Sequence, residues 1–294
     1  MGLRASVGRR ISAWLNQEHD APERPLCDFD RIAYELRPAD VILIEGRSRV
    51  SNVIRVITQS SWTHSVLYVG RVHDIVSQEL RERVTKFYNG DPNEQLVIEA
   101  ILGQGTIVSP LSKYTTDHLR LCRARGLTPP DAQEVIGHAV ATLGAGYDMR
   151  QLLDLARFMF PYTLMPRRWR SSLFEHNAGS ATSTVCSTMI AKAFMQVKFP
   201  LLPIAFKNDD GTITLHHRNP KLFTPRDFDY SPYFDIIKFP IWDPHKMSRY
   251  QNMPWDKEGL ICNEHGDCFL PDDHPASSKQ NDNDDQLQDK EQMK

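Results

Sequence analysis

The chain has 294 residues, 40% apolar and 24% charged, enough to bury a sizeable core in one large domain or one domain with appendages. A formal net charge of −2 argues against a nucleic-acid binder, which needs surplus Lys and Arg to neutralise phosphates, and no run of about 18 uninterrupted apolar residues is present to span a bilayer. Five cysteines, at positions 27, 122, 186, 262 and 268, form an odd, sparse set without an obvious secretory leader; this fits a reducing compartment, and a cytoplasmic protein is expected.

Residues 2–16 read as a short helix with Leu3, Val7, Ile11 and Leu15 on one stripe and Arg4, Arg9 and Arg10 off it. So short a stripe is expected to pack on the protein's own core or fray; peripheral contact with an anionic membrane is the alternative. The opening Met1-Gly2-Leu3-Arg4-Ala5-Ser6 also matches the loose myristoylation pattern. Residues 17–30, with Pro22, Pro25 and several acids, read as a linker, so that 1–35 forms an arm ahead of the main domain.

That domain is expected over 36–240, opening at the turn Pro38-Ala39-Asp40. Asp40–Glu45 and Ser61–Gly70 are β-rich runs, separated by a short helix over 51–58 with Val53, Ile54 and Ile57 inward. The polar span 73–93 reads as a solvated helix and an Asn89-Gly90-Asp91-Pro92 turn inserted between strands. Gln95–Ala100, Thr106–Leu111 and Leu119–Ala124 complete about five strands in a row, an antiparallel sheet. A helix follows from Pro130 to Leu143, ended by Gly144-Ala145-Gly146-Tyr147-Asp148. Residues 152–165 are apolar and aromatic, expected as core; Arg167-Arg168-Trp169-Arg170 reads as a solvated basic loop.

After the polar run Asn177–Ser183, whose hydroxyls suit a helix start, Met189, Ile190, Ala193 and Phe194 recur at helical spacing. This places Cys186 in the first turn, where the helix dipole favours thiolate over thiol. Ile204–Phe206 and Thr212–Leu215 form a hairpin around Asn208-Asp209-Asp210-Gly211, and Tyr233–Ile237 closes the domain. A C-terminal extension over 241–271 and a disordered tail over 272–294 follow.

A thiolate needs a base and the base an orienting group. His64 leads its strand, with Val66 and Tyr68 on the same face. Glu99 is the one acid in an apolar strand, and buried carboxylates demand partners. If these strands are neighbours, Cys186, His64 and Glu99 make a Cys-His-acid triad. No metal site is expected: His216 and His217 are adjacent on a strand and point to opposite faces, and Cys262, His265 and Cys268 supply only half a zinc site.

The order His, acid, Cys, carried by His64-Ser65-Val66-Leu67-Tyr68-Val69-Gly70, Leu96-Val97-Ile98-Glu99-Ala100, Gly144–Asp148, Val185-Cys186-Ser187 and Thr224-Pro225-Arg226-Asp227-Phe228, resembles the circularly permuted papain-fold hydrolases of the YaeF/YiiX type, within the NlpC-type superfamily of cysteine peptidases and amidases. The resemblance covers residues 36–240. It implies an α+β, permuted papain-like fold, with an antiparallel sheet or half-barrel packed on the nucleophile helix. By the same resemblance Cys186 is the nucleophile, His64 the general base and Glu99 its orienting partner, and Tyr147 lies beside the cleft; Tyr68 is expected to help wall it. The activity implied is a thiol hydrolase of amidase or peptidase type, without a cofactor, acting through an acyl-thioester on an amide- or acyl-bearing substrate: peptide, cell-wall fragment or lipid. The alternatives are a lipid-directed acyltransferase or lipase on the same site, and a non-catalytic binding protein that keeps the fold.

Overall fold

Every residue of Val41–Ile44 is buried, and this unbroken Val-Ile-Leu-Ile run marks a strand covered on both faces, where alternation with polar residues is lost. It is β1 at the middle of a six-stranded antiparallel sheet in the computed structural model, which describes residues 13–18, 26–145, 185–240, 253, 255–257, 259–262 and 267–270. The sheet runs β4-β3-β2-β1-β5-β8, with β2 His64–Gly70, β3 Leu96–Ile101, β4 Gly105–Pro110, β5 Leu119–Ala124 and β8 Phe234–Ile237. The first four strands form a meander, and β5 then crosses to the far side of β1. Register places Ile44 opposite both His64 and Leu119, so the start of β2, the end of β1 and the start of β5 meet at one end of the sheet.

Alternation along the strands divides the core into two. On one face Leu43, Leu67, Val69 and Ile98 pack against α4 (Pro129–Ala141) and α5 (Val185–Gln196). On the other, Ile42, Ile44, Val66, Tyr68, Val97 and Leu121 pack against α1 (Phe29–Glu35) and the 3-10 turn Leu111–Tyr114. Helix α2 (Arg49–Thr58), capped by Ser48, joins β1 to β2 and buries Ile54. Helix α6 (Pro225–Tyr230) opens on Thr224, whose backbone N–H and hydroxyl donate to Asp227 at 2.7 and 2.9 Å.

Three local readings differ from the structure. Residues 29–35, assigned to the arm, form α1: Asp28 caps it by accepting from the Arg31 N–H at 3.0 Å, and Ile32 and Leu36, four apart on one helix face, carry it into the core. Helix α3 (Gln78–Phe87) is not merely solvated, because Val84 is fully buried. Its Arg83 donates to the carbonyls of Val140, Ala141 and Leu143 at 2.9, 3.0 and 3.0 Å, tying α3 to the carbonyl end of α4 and the turn that follows. Cys262 and Cys268 are joined in a disulfide, a departure from the reading of the cysteine set as fitting a reducing compartment.

The chain divides into two units, the larger carrying the six-stranded sheet and helices α1–α6 and the smaller mostly C-terminal. The smaller holds the pair β9 (Ile261–Cys262) and β10 (Cys268–Phe269), the two strands that the disulfide ties. In the larger, the expected hairpin is β6 (Ile204–Lys207) with β7 (Ile213–His216). Leu15 is fully buried, whereas residues 2–12, over which most of the amphipathic stripe is expected, lie outside the described residues. Among the described residues no helix is long and apolar enough to cross a membrane.

Candidate active site

Cys186 enters in the first turn of α5, held there by Met189, Ile190, Ala193 and Phe194, all buried. Phe194 anchors the helix within an aromatic cluster, with ring centroids 5.3 Å from Phe199 and 5.5 Å from Phe234. α5 lies over β2 and β3, and Cys186 is wholly shielded. The segment expected to precede and cap it, 177–184, falls outside the described residues, as do Tyr147, 152–165, Arg167–Arg170 and the tail 272–294.

His64 stands where β2 begins. The approach to it is fixed by backbone bonds: the Thr63 N–H donates to the Ile44 carbonyl at 3.1 Å, and the Thr63 hydroxyl accepts from the Gly46 N–H at 3.0 Å. Because β2 and β3 are neighbours and Leu67 faces Ile98, alternation turns His64 and Glu99 to the same side. His64 Nε2 and Glu99 Oε2 are 2.8 Å apart. The imidazole is 19% exposed and the carboxylate not at all.

A buried carboxylate is tolerable only when its lone pairs are filled. Glu99 fills them with three donors. Besides the imidazole, the Tyr114 hydroxyl donates to Oε2 at 2.6 Å and the Lys113 ammonium to Oε1 at 2.8 Å. Burial alone would raise the carboxyl pKa; the His64 hydrogen bond and charge, with the Lys113 charge, outweigh it and hold Glu99 well below the usual carboxylate range. Tyr114 moves the other way, raised first by burial and then by the Glu99 charge.

His64 and Cys186 each shift the titration of the other. With Nε2 committed to Glu99, Nδ1 is the nitrogen left for the thiol. Burial opposes a charged imidazole, but the Cys186 thiolate and then Glu99 overcome it, pushing the His64 pKa up to about 10. For Cys186 burial again opposes ionisation. The His64 charge and hydrogen bond outweigh it, aided by the backbone and side chain of Ser65, and the thiol pKa falls below its ordinary value. Both shifts move the pair toward thiolate and imidazolium, with the Glu99 carboxylate behind the ring.

Of the residues expected at the site, the structure brings Cys186, His64 and Glu99 together. It does not bring Tyr68. Four residues along β2 from His64, roughly 13 Å at strand rise, Tyr68 is buried in the α1-side core, where its hydroxyl accepts from Gln95 Nε2 at 2.8 Å. Sharing a face with His64 did not place it near the thiol, because that face is covered further along the strand by α1.

Sequence reasoning missed Lys113, Tyr114 and Ser65. The first two were traceable: Glu99 demanded donors, and Lys113-Tyr114 is the first pair of long polar side chains after β4 returns alongside β3. Ser65 carried no such signal. Its hydroxyl lies in the core, 3.3 Å from that of Ser187, and only the docking of α5 shows that it also faces Cys186.

No family model and no curated protein matches the chain. Among solved structures, the metalloprotein YiiX from Escherichia coli O157:H7 is weakly similar, with a TM-score of 0.40 and 16% identity over 70% of this chain and 98% of that one.

Proposed function

We propose that this protein is a cysteine-dependent hydrolase of the permuted papain-like type, with Cys186 as nucleophile, His64 as acid and base and Glu99 as the group that orients His64. The observation carrying this reading is the buried Glu99 carboxylate on His64 Nε2 at 2.8 Å, together with the opposite shifts of the His64 and Cys186 pKa values. A structural cysteine in an apolar core is driven the other way, as burial does to Cys122.

The thiolate attacks the carbonyl carbon of an amide or ester, and the electron pair displaced onto oxygen is met by backbone N–H groups in the first turn of α5. His64 gives its Nδ1 proton to the leaving nitrogen or oxygen as that bond breaks, leaving an acyl-thioester and a neutral imidazole. The imidazole then takes a proton from water as the water attacks the thioester. Collapse of that intermediate expels the thiolate, releases the acid and restores the ion pair.

The test is a burst experiment with p-nitrophenyl acetate, read by p-nitrophenol release and by peptide mass mapping. One equivalent of nitrophenol and an acetyl group on Cys186 are expected, both lost in Cys186→Ala and His64→Ala. A burst that survives Cys186→Ala, or no acyl-enzyme at all, overturns the assignment.

A further inference from the structure

We infer that Lys113 and Tyr114 are positioning residues of this site: carried on one 3-10 turn, they hold Glu99 as a carboxylate and fix which of its oxygens meets His64. The inference rests on the reading of Cys186, His64 and Glu99 above and deepens it.

The two residues divide the carboxylate between them. Tyr114 donates to the same oxygen, Oε2, that engages His64 Nε2, at 2.6 Å, while Lys113 takes Oε1 at 2.8 Å. Donors on both oxygens leave the group no rotation and no protonation that keeps all three bonds. The Lys113 ammonium also sits 5.1 Å from the centre of the Tyr114 ring, so each steadies the other. Lys113 is 36% exposed, yet it turns its charge onto a carboxylate that water does not reach.

The turn that presents them is tied to the strand that carries Glu99. The Leu111 N–H donates to the Gln95 carbonyl at 2.8 Å. The Ser112 hydroxyl donates to Glu94 Oε1 at 2.5 Å, and Glu94 Oε2 accepts from the Tyr88 hydroxyl at 2.6 Å. Leu111 and Tyr114 are themselves buried. Lys113 and Tyr114 are therefore located against Glu99 by the two residues that lead into β3, Glu94 and Gln95. The ionisable groups around the assembly are His64 on β2, Cys186 on α5, Lys113 and Tyr114 on the turn, and Asp117 just beyond it, whose charge is felt by Tyr114.

A purely structural role, satisfying a buried acid, would leave the titration of the dyad alone. The test in the full chain is therefore the pH profile of Cys186 alkylation by iodoacetamide, alongside the NMR titration of the His64 ring, in Lys113→Met, Lys113→Arg, Tyr114→Phe and Glu99→Gln. Lys113→Met and Tyr114→Phe are each expected to change the rate of alkylation at pH 6 by about tenfold, the rate equivalent of one unit of titration, and to move the His64 midpoint. Lys113→Arg, which keeps the charge, is expected to stay within about threefold of the wild type. The two neutral variants are read independently, so poor folding of one leaves the other decisive. If both fold and leave the two titrations unchanged while Glu99→Gln shifts them, Lys113 and Tyr114 are structural only and the inference falls alone. If Glu99→Gln also changes nothing, or the wild-type thiol alkylates as an ordinary cysteine, the reading of the site falls with it.

Discussion

Glu99→Gln is nearly isosteric, so its consequences can be worked from the three donors around the carboxylate. The amide offers one acceptor oxygen and an NH2 group that can only donate. His64 and Tyr114 share Oε2 while Lys113 takes Oε1; if the amide oxygen serves the first pair, the NH2 faces the Lys113 ammonium, donor against donor. If it serves Lys113, both His64 and Tyr114 lose their acceptor. Either arrangement breaks a buried ion pair, which costs about 3–5 kcal/mol. The thiolate suffers too, since every ~1.4 kcal/mol lost from the imidazolium is a factor of ten in its ionised population.

The pH dependence has a definite sign. Glu99, with a depressed folded pKa, contributes stability that is present above the ordinary carboxylate value of about 4.3 and is lost as the pH falls through the folded value. His64 is the reverse: its raised pKa contributes stability fully present below about 6.5 and lost as the pH rises through about 10. Urea unfolding of wild type and Glu99→Gln between pH 3 and pH 8 should therefore show a gap of about 3–5 kcal/mol at pH 6 that narrows as the pH falls below about 4. A gap below about 1 kcal/mol at pH 6, or one that does not depend on pH, would refute the view of Glu99 as a carboxylate held ionised by its neighbours.

Three further outcomes are expected. Ser65→Ala removes a hydroxyl that lowers the Cys186 pKa and should slow alkylation of Cys186 at pH 6 by roughly three- to tenfold, the worth of one polar interaction of this kind, with the backbone N–H of residue 65 still in place. Phe194→Ala removes the ring that packs on Phe199 and Phe234 and should destabilise the protein by about 3–5 kcal/mol in chemical denaturation. Cys122→Ala, in β5 on the far side of β1 from β2, should keep the nitrophenol burst and cost roughly 1 kcal/mol; loss of the burst in a folded Cys122→Ala protein would show that the wrong thiol had been chosen.

Legibility in the sequence followed the strength of the periodic signal. Val41–Ile44 and His64–Gly70 were readable as strands because β-branched and aromatic residues run between turn signals, and α5 because Met189, Ile190, Ala193 and Phe194 repeat at helical spacing. Helix α1 was hidden: its burial rests largely on Ile32 and Leu36, and the prolines before it suggest a linker. Tyr68 misled because alternation reports which way a side chain turns and nothing about what covers that face. Glu99 was legible as an anomaly, a charge in an apolar strand, whereas the identity of its donors depended on where the chain turned after Pro110. The pairing of Cys262 with Cys268 left no trace in residue type, since six residues of separation suit a small loop as well as two unrelated thiols.

Ser65 and Ser187, the serines next to His64 and Cys186, are 122 positions apart in the chain. A ribosome makes His64 first and Cys186 long afterwards, and closing so long a loop is among the slower steps available to a folding domain. In the growing chain β2, β3 and the Lys113-Tyr114 turn emerge before Cys186, so the His64–Glu99 couple has no thiolate to face. Cys186, for its part, is an ordinary thiol until α5 docks. On the proposed reading the sulfur is activated only once that long-range contact forms, so a chain in which α5 has not docked would carry no activated thiol.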